Sequence, residues 1–168
     1  MKIRLKKLDA GTVLSFIRDR GQAAVQRSGH AGFFAHHDLM HYAVETTLGF
    51  ERAFLGLMAE GWSFEAFANH DDPRYQAIPS EAVLAEQLVD LFTRAYHDRA
   101  WLDPELRPVW FEEVARELAS IYAQRQAGPP PTLDQVLRIC RTFSDLADRW
   151  ASTPVGGHLE LTWPSRPA

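Results

Sequence analysis

Cysteine is almost missing from this chain: Cys140 stands alone. No intrachain disulfide is available, so the fold must be held by its core, a usage that fits a reducing compartment and makes the cytoplasm the expected location. Long apolar runs are missing too. No stretch of about 18 uninterrupted apolar residues occurs, which argues against a membrane-spanning helix. The charged N-terminus lacks a following apolar stretch, so no signal peptide is expected. Nor is there an excess of positive charge. Eighteen Lys and Arg stand against 22 Asp and Glu, giving a net charge of -4. A chain of that balance has no long-range attraction for nucleic acid or anionic lipid. The basic run Lys2 to Lys7 alternates with apolar residues and reads as the wet face of a strand.

What the chain has in quantity is apolar bulk. Hydrophobic residues make up 46% of its 168 positions, with ten Phe and five Trp. That is enough for one domain of ordinary size, residues 1–168, around a single core. No internal repeat is present. The first 30 residues read as β structure. Two apolar segments, 12–18 and 23–27, flank the polar turn Asp19-Arg20-Gly21-Gln22, the pattern of a hairpin. At the other end, Leu159, Leu161 and Trp163 alternate with polar residues. Pairing of that segment with the first strand would set Glu160 across from Lys2, Arg4 or Lys6.

Between these ends the period changes from two to 3.6. Helices are expected over 36–48, 51–60 and 80–98, from Asp103-Pro104 onward, and over 132–150, the last opened by a Thr132/Gln135 capping box. Ser80 is the expected cap of the third, and Cys140 falls on the apolar stripe of the last, as a buried thiol. The expected fold is therefore α+β: a mainly helical bundle of about five helices with a small antiparallel sheet built from both termini.

Chemistry is concentrated in one place. Four of the seven histidines, His30, His36, His37 and His41, lie within residues 30–41. His37, His41 and Glu45 recur every four residues along an otherwise apolar helix. Imidazoles at i and i+4 have Cβ atoms about 5–6 Å apart, the separation needed to share one divalent ion. Asp38 beside them, or Glu45, is the candidate to move a proton or orient a ligand histidine. For the third ligand, Gly49 suggests a tight turn into an antiparallel helix. Glu60 lies eleven residues after Gly49 and Asp38 eleven before it, so at equal rise Glu60 faces the histidine pair. Two histidines and a carboxylate with open positions suit zinc, iron or manganese.

The motif His37-Asp38-x-x-His41 resembles that of an HDxxH zinc-motif family of coenzyme Q biosynthesis, whose further Glu would fall at position 53, here Ala53. The spacing of His37, His41 and Glu60 is similar to that of thermolysin-like zinc peptidases, in which Asp38 would stand at the place of the general base. Both resemblances imply a zinc ion held by His37 and His41.

The expected function is a small metal-dependent enzyme acting on a small molecule, without nucleic acid or membrane as partner. His37, His41 and Glu60 would hold the ion; Phe33, Phe34, Met40, Trp62 and Phe64 would form apolar pocket walls. The competing expectation is a non-enzymatic module in which His37 and His41 are core residues or hold a structural metal closed by Glu45 or His36. His30 closing over the pocket and a metal-binding loop at His70-Asp71-Asp72 are lesser alternatives to plain loop residues. Tyr42 is expected in the core, and His97 and His158 at the periphery.

Overall fold

The computed structural model describes residues 1–18, 23–29 and 33–164. The turn expected at 19–22, His30 and the side chain of Phe33 lie outside the described residues. The chain runs β1 (Lys2–Lys7), β2 (Thr12–Ile17), β3 (Ala23–Ser28), α1 (Phe33–Leu48), α2 (Phe54–Glu60), α3 (Phe64–Ala68), α4 (Pro73–Gln76), α5 (Ser80–His97), α6 (Arg107–Arg125), α7 (Leu133–Ser152) and β4 (His158–Thr162). This is the expected α+β fold. Its helices number seven among the described residues, because two short ones, α3 and α4, occupy what looked like connecting sequence.

The four strands form one antiparallel sheet in the order β3-β2-β1-β4. Ile3, Leu5, Leu14, Phe16, Leu159 and Leu161 turn one face of it into the core. The termini pair as the alternation predicts. Arg4 stands opposite Glu160 and bonds it at 2.8 Å, while Lys2 reaches the same carboxylate at 3.0 Å. Two further cations join the sheet to helix ends. Lys7 donates to the Trp150 carbonyl at 2.6 Å, at the end of α7, where partial negative charge gathers. Arg18 donates to the carbonyls of Met58 and Trp62 at 2.8 and 2.7 Å and so holds the end of α2.

Helix α1 is central. Leu39, Met40, Ala43 and Val44 are wholly buried, since α5, α7 and α2 all pack against it. It stops at Gly49, whose φ of 71° favours a residue without Cβ, and the Phe50 amide closes the end on the Glu45 carbonyl at 3.0 Å. Other boundaries shift from expectation. Helix α5 has Pro79, not Ser80, at its cap, and α6 starts at Arg107, while Asp103 instead accepts from the Glu105 amide at 2.8 Å in the preceding turn. The Thr132/Gln135 capping box is present. Among the described residues no helix is long and apolar enough to cross a membrane.

Candidate metal centre

The four-residue spacing on α1 does what it promises for the histidines. The rings of His37 and His41 lie 4.8 Å apart between centroids, and their Nε2 atoms approach to 3.2 Å. Two imidazole nitrogens at that distance need a proton or a cation between them, because bare lone pairs would repel. The carboxylate that completes the group comes from α5. Glu86 Oε1 is 3.3 Å from His41 Nε2 and its Oε2 is 3.8 Å from His37 Nε2. His37, His41 and Glu86 form the one cluster of this kind among the described residues, all three ligand atoms lying within 4.8 Å of one another.

Those edges have a meaning. An ion bonded at about 2.0–2.1 Å holds tetrahedral ligand atoms about 3.3–3.4 Å apart. The Nε2–Nε2 distance and that from His41 Nε2 to Glu86 Oε1 match within 0.2 Å, while the 3.8 Å contact of His37 is made by the other carboxylate oxygen, Oε2, of a half-exposed side chain.

The expectation that Glu60 is the third ligand is overturned. Glu60 is exposed and pairs with Arg52 at 3.6 Å. The count from Gly49 fails because 50–53 are not helical and α2 begins only at Phe54. Glu81, in the first turn of α5, accepts from the amides of Glu51 and Arg52 at 3.2 and 2.6 Å and holds that extended turn. As a result the first turn of α2, not its last, meets the site.

Glu45 is where that contact occurs. Its side chain is fully buried; Oε1 accepts from His41 Nδ1 at 2.9 Å and Oε2 from the Leu55 amide at 2.9 Å, with the Gly56 amide as a further donor. A carboxylate at a helix start is favoured by the free amides there. Gly56 is required for the approach, since a Cβ at that position would sit 1.9 Å from the Glu51 carbonyl oxygen. With Nδ1–H of His41 directed at Glu45, Nε2 is the nitrogen that faces His37 and Glu86, the orientation of a metal-binding histidine backed by a carboxylate. Phe54 walls the ring, its centroid 5.0 Å away.

The electrostatics of the group are those of charges held out of water. Burial opposes a charged ring at His41, but hydrogen bonds and charges from Glu45 and Glu86 outweigh it and raise its pKa to about 10. His37 is lowered by burial and by His41. Glu86 is lowered: the two histidines together exceed the opposing effect of its own partial burial. Asp38, half-buried, is pushed up to about 7 by burial, against the pull of His41 and with the help of Glu86.

The other candidates fall away from the centre. His36 packs edge-on against Tyr96 and Phe143, at 5.5 and 6.0 Å. His70 stacks on Tyr75, and Asp72 caps α4 through the Arg74 amide, so that loop is a turn. Neither Glu45 nor His36 closes the metal group as a fourth ligand. The apolar walls also go elsewhere: Met40 is core, Phe64 packs on Phe16, Trp62 packs on Phe67, and Phe34 is 40% exposed. What opens beside His37 is a cleft of about 410 Å³, running past Asp90, Thr93 and His97 of α5 to Glu117 and Ile121 of α6. His97, expected at the periphery, lines this cleft. The signal for Glu86 was present in α5, where Glu86, Asp90, Thr93 and His97 recur at i, i+4, i+7 and i+11 beside the apolar stripe. Nothing local tied that polar stripe to α1.

A scan against protein-family models, a search of curated proteins and a search of solved structures each found no match for this chain.

Proposed function

We propose that this chain is a small metal-dependent enzyme whose divalent ion, zinc by preference, is held by His37 Nε2, His41 Nε2 and the Glu86 carboxylate. The observation that carries the reading is the meeting of His37 Nε2, His41 Nε2 and the Glu86 carboxylate, with ligand atoms within 4.8 Å of one another and two of the distances, 3.2 and 3.3 Å, close to the spacing of a tetrahedral zinc site. Support for a catalytic rather than structural ion comes from ligand number and access. Structural zinc sites have four protein ligands; here there are three among the described residues, Glu86 is half-exposed, and the cleft leads from solvent to His37.

In this reading Glu45 fixes the tautomer and direction of the His41 ring, and Asp38, within electrostatic reach of His41 and Glu86, is the group beside the centre available for proton transfer. Zinc there would lower the pKa of a coordinated water toward 7. The reacting molecule is a small one rather than nucleic acid or membrane, and a cytoplasmic, reducing setting fits the lone buried thiol of Cys140.

One specific observation favours a second reading. The His41 ring is satisfied by Glu45 and Glu86 without any ion, so a purely structural proton-linked cluster is the competitor.

Metal analysis of untagged protein separates the two. Wild type and E60Q are expected to retain about one ion per chain, and H37A/H41A and E86Q much less. Equal, substoichiometric metal in all four would end the metal reading.

A further inference from the structure

We infer that the cleft between α5 and α6 is the substrate site of this centre, and that its occupant is a small hydrophilic molecule bearing hydroxyl or amine groups. The inference rests on the metal reading above and adds the substrate class.

Three observations converge. First, Glu86, Asp90, Thr93 and His97 occupy one face of α5, so the proposed ligand and the cleft share a ridge about 16 Å long at 1.5 Å per residue. A molecule anchored at the ion extends along it. Second, the groups left unpaired there ask for donors. Arg94 is taken by Glu117 at 3.1 Å, and Gln87 accepts from Arg125 at 2.8 Å. Asp90 is exposed, makes no hydrogen bond or ion pair among the described residues, and bears on His37 through its charge alone. Thr93 lines the cleft, is only 6% exposed, and its Oγ1 has no hydrogen-bond partner among the described residues, an arrangement that needs a reason in a buried hydroxyl. Third, the lining holds one aliphatic side chain, Ile121, and no Phe, Tyr or Trp. Seven of the eight lining residues are polar, so the apolar surface there is largely the stems of polar side chains, and the one guanidinium, Arg94, is already taken by Glu117.

The test uses zinc-loaded protein and four hydroxamates of equal chain length, ending in an amine, a hydroxyl, a methyl or a carboxylate. The hydroxamate takes the ion's open positions and lays the tail along α5. Calorimetric titration is expected to show the amine- and hydroxyl-ended compounds binding at least about 3-fold more tightly than the methyl-ended one, with the carboxylate weakest, the scale of partly exposed polar contacts. D90N should abolish the amine advantage and T93V the hydroxyl advantage, and the methyl-ended Kd should stay unchanged in both. T93V removes only an unpartnered hydroxyl, so its urea midpoint should match wild type.

Four equal affinities, a preference for methyl or carboxylate, or preferences that survive D90N and T93V would overturn the inference and leave the metal centre intact. A chain that takes up no zinc would overturn the centre and the inference together, and zinc-loaded protein that binds none of the four would overturn the open, catalytic character of the centre along with the inference.

Discussion

Glu45 is a fully buried carboxylate whose removal strands the groups that donate to it, and E45A and E45Q measure the cost. Its buried carboxylate accepts from His41 Nδ1 and the Leu55 amide, each at 2.9 Å, and from the Gly56 amide. Alanine leaves three buried N–H groups without an acceptor, each a loss of about 1–3 kcal/mol. Water entering the vacated space recovers part of this, which places the total near the lower end, at about 3–5 kcal/mol. Glutamine keeps one acceptor oxygen and turns its NH₂ toward one of the donors, a loss of about 1–3 kcal/mol. With a urea m-value of about 2 kcal/mol/M, the midpoint falls by about 1.5–2.5 M for E45A and about 0.5–1.5 M for E45Q. Equilibrium unfolding followed by tryptophan fluorescence, with chelator present throughout so that metal affinity does not enter, gives both numbers. An E45A midpoint within about 0.3 M of wild type would show that the link from α1 through Glu45 to α2 contributes little, and the orienting role given to Glu45 would go with it.

Zinc at about 100 times its Kd should stabilise the wild type by about 2.7 kcal/mol, a Tm rise of about 5–11 °C for a chain of this length. E60A should keep that rise and E86A should lose most of it in differential scanning fluorimetry; the reverse pattern would return the ligand role to Glu60. Burial pushes the Cys140 thiol up to about 12. At pH 8 Ellman's reagent should therefore react with native protein at least about 100-fold more slowly than with the guanidinium-unfolded chain, and matching rates would contradict its buried place on α7. The carboxyl of Glu160, hydrogen-bonded first by Arg4 and then by Lys2, is lowered to about 2. Its folded pKa is below its unfolded one, so its contribution is present above about pH 4.5 and is lost as pH falls toward 2. The Tm difference between wild type and E160Q should shrink over that window and with added salt; a difference that grows on acidification would contradict the β1–β4 pairing chemistry.

The sequence by itself settled what depends on neighbours along the chain. Period-two alternation marked β1, β2 and β4, and the unlike charges of Lys2, Arg4 and Glu160 marked the strand pairing. The i, i+4 spacing put His37, His41 and Glu45 on one strip of α1, and Thr132 with Gln135 announced the start of α7. Each follows from backbone geometry that repeats every two or 3.6 residues. The third candidate ligand was decided elsewhere. Glu86 follows His41 by 45 residues and meets it because α5 packs on α1, a matter of which apolar stripes bury each other. Glu60 was placed by assuming unbroken helical rise through 50–53, and the capture of that turn by Glu81 removed the assumption. The cleft depends likewise on how α6 lies against α5, so its polar lining and the packing of the partly buried Trp62 and Phe64 against the core are properties of the packed chain, where contact among the large aromatic side chains took precedence over any place for them beside His37 and His41.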